Sequence, residues 1–132
     1  MALKITLKPH EKIILGGAVI KNGATTSHLV IENNVPILRQ ADILSEHEAD
    51  SPCKRIYFSI QLMYVDEKRS AEIHPIYWDL VKQVVQAAPS TNEMLTKISE
   101  KILEGSLYQA LKLTKNLISY EQELISNVSK PN

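Results

Sequence analysis

The chain changes its hydrophobic pattern once, close to Leu44, and this change restricts the possible folds more than any other feature. Before Leu44, short apolar segments are separated by glycine, proline and asparagine. After it, apolar residues recur at helical spacing over longer segments. The sequence therefore predicts an α+β protein, with a β-rich region at 1–44 followed by a helical region at 45–132.

The first 44 residues contain the signals of four or five short strands. Leu3, Ile5 and Leu7 alternate with polar residues, which is the pattern of a strand with one solvated face. Gly16-Gly17 stands between two apolar runs and predicts a hairpin. Asn22-Gly23 predicts a second one, because Asn-Gly readily takes the positive φ values of a tight hairpin turn.

Further turn and strand signals complete the β-region. Residues 8–11 are predicted to form a turn around a proline, and β-branched residues predict a strand over 25–31. A last strand is expected at 35–38, at a sheet edge because Pro36 lacks an N–H donor. Strands this short and closely spaced indicate a meander or a small open barrel. The predicted β-region is thus a small antiparallel sheet or open barrel.

The helical region opens with two capping signals. Ser45 and Glu48 form a possible capping box, and Ser51-Pro52 places proline where a helix can begin. Residues 55–65 fit both a helix and a perfectly alternating strand. We favour the helix, because a specific start signal precedes the segment and no turn divides it.

Later signals divide the rest of the chain. His74-Pro75 is expected to open a helix that Pro89 ends. Ser90 and Glu93 match a second capping box, and Gly105-Ser106 could divide the final apolar segment.

Two apolar stripes are predicted on these later helices. The stripe before Pro89 consists of Ile76, Leu80, Val84 and Ala88. The stripe after Gly105 consists of Leu107, Leu111, Ile118 and Ile125. The second stripe either packs into the core, which we favour, or docks onto another chain.

Bulk composition excludes several classes of protein. The longest uncharged apolar run, residues 13–20, is far shorter than the roughly 20 residues that span a bilayer, so no membrane span is expected. Lysines interrupt the N-terminal apolar residues, which argues against a secretory signal and for the cytoplasm. The single cysteine, Cys53, fits a reducing compartment, and we expect a structural rather than a reactive thiol.

Catalytic motifs are missing from the sequence. There is no phosphate-binding glycine loop, no nucleophile elbow and no metal-binding His or Cys pair. A solvated acidic helix start is favoured over a metal site at 46–50. We therefore expect no catalytic residue, no metal site, no cofactor and no enzymatic activity.

Positive charge gives the β-region its one candidate for nucleic-acid binding. The whole chain is balanced, with 15 basic and 15 acidic residues, but up to Leu44 there are five basic and three acidic ones. An ordinary solvated sheet face is the simpler interpretation of these lysines. All seven aromatic residues occur from Tyr57 onward, so the β-region has no base-stacking platform.

Three segments in order resemble one family. MALKITLKPHEKIILGGAVIKNG, LVIENNVPILRQADIL and ADSPCKRIYFSIQLMY are similar to the corresponding segments of the FlbT family of bacterial flagellar biosynthesis regulators. The resemblance covers nearly the whole chain and is densest up to Tyr64. It implies a post-transcriptional regulator that binds the 5′ untranslated leader of flagellin mRNA and promotes its decay, although some members act positively instead.

The same resemblance implies partners. The family has a companion protein, FlaF, with the opposite influence on flagellin synthesis. The alternative function is a protein-interaction adaptor of the flagellar regulatory system, in which the helical region binds FlaF or another flagellar protein and the effect on RNA is indirect. This interpretation uses the stripe from Leu107 to Ile125 and places five aromatic and methionine side chains near the surface: Tyr57, Met63, Tyr64, Tyr77 and Trp78. Direct and partner-dependent RNA binding, and a homo-oligomer, all remain open.

A second similarity suggests which residues touch RNA. KPHEKIILGG followed by strands is similar to CsrA, a small β-protein that binds mRNA leaders through strand edges, although His10 stands where both patterns are expected to have glycine. By that analogy, phosphates and base edges are contacted by a basic set of residues: Lys4, Lys8 and Arg39, extended by Lys12 and Lys21. Arginine can engage a guanine edge with two donors, whereas the lysines supply salt-sensitive attraction.

Overall fold

The computed structural model describes residues 2–129. The chain divides into two compact units, Met1–Ile43 and Leu44–Asn132, which we call the β-unit and the helical unit. Strands occupy the first and four α-helices the second, which confirms the predicted α+β class.

The β-unit contains five strands in two small antiparallel sheets. They are β1 (Leu3–Leu7), β2 (Lys12–Leu15), β3 (Ala18–Lys21), β4 (Ser27–Ile31) and β5 (Ile37–Arg39). β1 pairs with β4, whereas β2 lies between β3 and β5. Among the described strands, only β2 and β3 are neighbours in both sequence and space, so the strands do not form a meander. The last strand does lie at an edge, as Pro36 indicated.

The core of the β-unit lies between the inner faces of the two sheets. Ile5 and Leu7 of β1 and Ile13 of β2 are its buried centre. Partly buried aliphatic residues surround them: Leu15, Ile20, Leu29, Ile31 and Ile37. Side chains alternate along a strand, so Ile14 and Leu38, which are 5% and 0% exposed, lie on the other face of their sheet. That face is therefore buried at Ile14 and Leu38 and exposed at Val19 and the two lysines, Lys12 and Lys21.

Turn chemistry shapes the β-unit. Gly16 and Gly17, at φ 54° and 91°, form the predicted tight turn between β2 and β3. The predicted turn at 8–11 is also present, with the Glu11 N–H donating to the Lys8 carbonyl at 3.1 Å. His10 in this turn has a φ of 63°, a left-handed conformation that L-residues other than glycine rarely adopt.

The predicted hairpin at Asn22-Gly23 is wrong. Gly23 does not have a positive φ: within residues 2–129, positive φ occurs only at His10, Gly16, Gly17 and Gly105. After β3 the chain does not turn back on itself but continues to β4, which belongs to the other sheet. Asn22 acts through its side chain instead. Its Nδ2 donates to the carbonyls of Leu7, Lys8 and Thr25, and its Oδ1 accepts from the Gly23 N–H and the Ser27 hydroxyl. The amide thus joins three separate segments.

Four helices form the helical unit. They are α1 (Pro52–Val65), α2 (Ser70–Ala87), α3 (Asn92–Leu103) and α4 (Leu107–Ser129). α1 packs against both α2 and α4, and α3 packs against α4. The ambiguous segment at 55–65 is helical, as favoured.

Three of the predicted helix boundaries are confirmed. Ser45 and Glu48 form a capping box around a short 3-10 turn, and the Ser51 hydroxyl caps α1 by accepting from the Lys54 N–H at 3.2 Å. Gly105, at φ 82°, ends α3, and the Ser106 N–H donates back across the end of the helix.

Two boundary predictions are wrong. α2 begins at Ser70, and Pro75 lies inside it, where it removes one N–H donor from the helical ladder. The second capping box does not form, because the Ser90 hydroxyl accepts from the Tyr120 hydroxyl at 2.7 Å and no side chain caps α3.

The predicted apolar stripes are only partly buried. Ile76 of the first stripe is 52% exposed, and Ile125 of the second stripe, which was expected to pack into the core, is 51% exposed. The buried side of α2 consists of Ile73, Tyr77 and Val84. The buried side of α4 consists of Ala110, Leu111, Thr114, Leu117 and Glu121, so two polar residues belong to the packed face.

Candidate nucleic-acid interface

Lys12 and Lys21 lie directly opposite each other on β2 and β3. The Asn22 N–H donates to the Glu11 carbonyl in the next pair of the ladder, so the two lysines form a non-hydrogen-bonded pair, in which side chains come closest. Both are exposed, and among residues 2–129 neither forms an ion pair. The structure therefore concentrates two positive charges on one outer sheet face.

Lys4 lies on the outer face of the other sheet. It is exposed on β1, opposite Val30 of β4, and Thr6 follows it on the same face. The Thr6 hydroxyl and His28 Nδ1 are 3.1 Å apart across the strands. Because the two sheets pack through their inner faces, Lys4 belongs to a different surface from Lys12 and Lys21.

Lys8 lies in the turn after β1 and is exposed. Its backbone N–H donates to the Glu11 carboxylate at 2.8 Å. This bond, followed by the interaction with the Arg39 guanidinium, holds the pKa of the Glu11 carboxyl below its usual value. The turn thus places a lysine side chain beside a carboxylate that stays ionised.

Arg39 ties the two sheets of the β-unit together. Its Nη2 donates to the Thr6 carbonyl at 2.8 Å and to a Glu11 carboxylate oxygen at 3.1 Å. The side chain is nevertheless 44% exposed. Arg39 therefore has a structural role that its sequence position did not reveal.

The five basic residues proposed from the sequence do not form one continuous face. Lys12 and Lys21 form one pair, Lys4 lies on the opposite sheet, and Lys8 and Arg39 lie around Glu11. Two polar residues outside the basic set, neither of them predicted as part of the site, hold this arrangement. Gln40 accepts from the Lys12 N–H at 2.6 Å, and Asn22 joins the strand ends. No sequence signal marked Gln40. Asn22 was noticed only as part of the Asn22-Gly23 pair, which predicted a hairpin turn that does not form.

The helical unit buries most of the aromatic and methionine side chains that the adaptor interpretation placed near the surface. Tyr57, Met63 and Tyr77 are at most 3% exposed. Trp78 is 38% exposed and packs edge-on against Tyr77, whereas Tyr64 packs against the Tyr108 ring. That interpretation is therefore wrong for three of its five residues, because they complete the helix core.

A buried polar cluster connects the first and last helices. The Glu121 carboxylate on α4 accepts from the Ser51 hydroxyl and from the Cys53 N–H at the start of α1. Burial, followed by the charge of Glu121, raises the pKa of the Cys53 thiol to about 12. Cys53 is therefore a buried structural thiol, as expected.

No helix in the described part of the chain is long and apolar enough to cross a membrane. Within residues 2–129, no group of three or more histidine, cysteine, aspartate or glutamate residues could hold a metal ion.

Comparison with known proteins places this two-unit α+β chain among the flagellar proteins. The family model described as flagellar protein FlbT matches residues 3–125. The chain belongs to the FlbT family.

Relatives of the chain carry names that describe repressors. A probable flagellum biosynthesis repressor protein FlbT 1 from Bradyrhizobium diazoefficiens is 45% identical to this chain, over an alignment that covers 94% of this chain and 85% of the relative. A probable flagellum biosynthesis repressor protein FlbT from Rhodopseudomonas palustris is 40% identical over 96% of this chain and 99% of its own. The flagellum biosynthesis repressor protein FlbT of Caulobacter vibrioides is 33% identical over 98% of this chain and 93% of the relative. No solved structure matches the chain.

Proposed function

We propose that this chain regulates flagellum biosynthesis after transcription, by binding the 5′ leader of flagellin mRNA and promoting the decay of that message. The names of its relatives support the flagellar and repressive parts of this function. The β-unit supplies the RNA-binding surface.

The opposed pair of Lys12 and Lys21 carries the RNA-binding part of the proposal. Like charges directly opposite on neighbouring strands destabilise a sheet, by roughly up to 1 kcal/mol. Neither lysine has a carboxylate partner in the described chain to offset this cost. A bound phosphate would remove the repulsion and replace it with two charge-assisted hydrogen bonds. Binding of a polyanion such as RNA is therefore expected to stabilise this pair of lysines.

The remaining basic residues have secondary roles in this proposal. Lys4 and Lys8 supply further salt-sensitive contacts with phosphates from their own positions. Arg39 holds Thr6 and Glu11 through Nη2 and offers its remaining guanidinium donors to a base edge.

Binding of the purified protein to a flagellin leader RNA and to a shuffled RNA of equal length, at two salt concentrations, tests direct recognition. We expect a preference for the leader that persists at the higher salt concentration. Replacing Lys12 and Lys21 by alanine should weaken binding, whereas replacing the exposed Lys68 and Lys82 of the helical unit should not. Equal binding to both RNAs that disappears with salt, or no binding, would contradict direct recognition.

The adaptor function is the second candidate, and one feature of α4 favours it. Ile125 and Val128 are 51% and 88% exposed near the end of this helix, and they line an open apolar groove with Ala87, Ala88 and Leu124. Exposed aliphatic residues beside a groove are typical of helix-binding surfaces. FlaF or another flagellar protein is the proposed partner.

A further inference from the structure

Trp78, the only tryptophan of the chain, lines a groove between α2 and α3. It is 38% exposed, and its ring lies 4.9 Å from the buried Tyr77 ring at an interplanar angle of 77°. Nearly perpendicular rings are not stacked face to face, so at least one face of the indole is free of the Tyr77 ring. Tryptophan is the aromatic residue that attracts cations best, and none of residues 2–129 places a cation over this ring.

The charges of α3 leave one carboxylate without a counterion, and it lies in this groove. Glu93 pairs with Lys97 at 3.8 Å, and Lys101 pairs with Glu104 at 3.4 Å. Glu100 forms no ion pair within the described chain. Among the described residues that line the groove, it is also the only charged one. The groove therefore carries a negative charge that its own helix does not neutralise.

A hydrogen bond holds the indole and this carboxylate on facing helical turns. The hydroxyls of Tyr77 and Ser99 are 2.8 Å apart, and these two residues directly precede Trp78 and Glu100 in the chain. Leu103, 73% exposed, lines the same groove three residues after Glu100, on the same side of α3. The aromatic ring, the free carboxylate and an exposed aliphatic side chain thus lie within about one helical turn of each other.

The size of the groove indicates what kind of ligand it holds. Its volume is about 280 Å³, whereas pockets for small molecules usually measure roughly 300–1,000 Å³. The groove is open along the surface between two helices, so it suits a few side chains of another polypeptide better than an enclosed metabolite.

We propose that this groove binds a helical segment of a partner protein through one basic and one aliphatic side chain. The basic side chain, an arginine or a lysine, lies over Trp78 and pairs with Glu100, and the aliphatic side chain covers Leu103. A guanidinium can stack on an aromatic face while its N–H groups reach a carboxylate. Residues three or four apart on a helix have Cβ atoms about 5–6 Å apart, which is also the spacing of Glu100 and Leu103.

This surface is separate from the one that the adaptor function uses. None of the described residues that line the groove at the end of α4 also lines the groove between α2 and α3. The inference therefore goes beyond both proposed functions and rests on neither of them.

The emission of Trp78 tests the inference directly, because no other tryptophan contributes to the signal. The probes are alanine-rich helical peptides of about 15 residues without aromatic side chains, carrying arginine and leucine four positions apart. We expect a saturable change in emission with a Kd below about 1 mM. Peptides with glutamate in place of arginine, or alanine in place of leucine, should bind at least about fivefold more weakly.

Matched variants of the full chain assign the binding to this groove. Glu100→Gln should weaken binding of the arginine–leucine peptide by about fivefold, and Leu103→Ala by about threefold. Glu93→Gln removes the same charge from the same helix outside the groove, and should change binding by less than about twofold. All three side chains are exposed, so the fold should be retained, and far-UV circular dichroism with a thermal melt checks this.

Each contrary result has a definite meaning. Equal binding of the glutamate peptide, or equal losses in Glu100→Gln and Glu93→Gln, overturns the inference, because the attraction would then not depend on the free carboxylate in the groove. No saturable change in emission together with no heat of binding by calorimetry overturns it as well. Glu100→Gln should bind the flagellin leader as wild type does, so failure of this inference leaves direct RNA binding and the surface at the end of α4 unaffected.

Discussion

His10 determines the local geometry of the turn between β1 and β2. Its φ of 63° explains why the family patterns lead one to expect glycine at this position. An L-residue in the left-handed region costs roughly 1–2 kcal/mol, whereas glycine loses about 0.5–1 kcal/mol through the greater freedom of its unfolded chain. The left-handed strain is the larger of the two terms.

His10→Gly is therefore expected to stabilise the protein by about 0.5 kcal/mol, and His10→Val to destabilise it, because a β-branched residue is the least tolerant of positive φ. Urea denaturation of the full chain measures both changes. A lower unfolding midpoint for His10→Gly would show that the imidazole stabilises the turn by more than the backbone strain costs.

Arg39 and Lys4 are expected to differ in their effect on RNA binding. Arg39→Ala should weaken binding to the flagellin leader more than binding to shuffled RNA, since arginine can read a base edge. Lys4→Ala should weaken both alike, by a few-fold, since a phosphate contact carries no sequence information. Titration of both RNAs at one salt concentration makes the comparison, and equal losses in the two variants would contradict this division of roles.

The Arg39 test needs a fold control because Nη2 also bonds Thr6 and Glu11. Glu11→Gln weakens the same internal contact without removing the guanidinium. If Glu11→Gln reduces leader binding as much as Arg39→Ala does, Arg39 acts by positioning the strands rather than by touching RNA.

At the scale of elements, α4 completes the start of α1. Glu121 is 8% exposed, and its carboxylate accepts hydrogen bonds from Ser51 and Cys53 across nearly the whole length of the helical unit's sequence. The first N–H groups of a helix have no acceptor within the helix. A carboxylate from another element can accept their hydrogen bonds, and its negative charge interacts favourably with the partial positive charge at the start of the helix. This contact joins the two ends of the helical unit.

Glu121→Ala should destabilise the helical unit by about 2–3 kcal/mol, because it leaves a buried hydroxyl and a buried N–H without an acceptor. Glu123→Ala, two residues away on the exposed side of α4, is the matched control and should change stability by less than about 0.5 kcal/mol. Thermal unfolding followed at a helical wavelength compares them. Equal losses of stability in the two variants would mean that the buried hydrogen bonds of Glu121 contribute nothing beyond the change in helix propensity.

The Cys53 thiol at the start of α1 makes stability depend on alkaline pH. In the folded protein the pKa of this thiol is raised from 9.0 to about 12. The contribution of the protonated thiol to the free energy of unfolding is therefore fully present below pH 9 and is lost as the pH rises towards 12. Wild type should therefore lose stability relative to Cys53→Ala between about pH 8 and pH 10. Urea midpoints at the two pH values measure the difference, and a constant gap would contradict it. A thiol reagent should label Cys53 only as the protein unfolds.

At the scale of the whole molecule, RNA binding and partner binding are assigned to different units. The chain has no net formal charge, so the proposed binding to RNA depends on the local arrangement of lysines rather than on a general positive field. The exposed apolar end of α4 lies in the helical unit. The two proposed functions can therefore be separated by substitution.

Ile125→Asp should leave affinity for the leader RNA within about twofold of wild type, whereas the double substitution of Lys12 and Lys21 should lower it by about tenfold or more. In cells, we expect both proteins to lose flagellin repression if the adaptor function is also correct. Flagellin mRNA half-life and leader affinity, measured for each variant, make the test. Normal repression by Ile125→Asp would remove the support for the adaptor.

Local signals were sufficient to predict much of the fold. Alternation at Leu3–Leu7, the glycine pair between β2 and β3, the cap at Ser51 and the break at Gly105 act through neighbouring residues, so each could be predicted from its own segment. Whether residues 55–65 form a helix was also decided by an adjacent start signal. The candidate lysines were found in the same way, as polar positions on alternating strands.

The amino-acid sequence by itself thus determined the α+β class, most element boundaries and the set of basic residues in the β-unit. Tertiary structure alone decided how the strands pair, that Lys12 faces Lys21, that Arg39 binds Thr6 and Glu11, and that Glu121 caps α1. The physical reason is the range of the interactions. Turns and caps involve residues a few positions apart, whereas these contacts join side chains that are distant in the sequence and meet only after the apolar faces have packed.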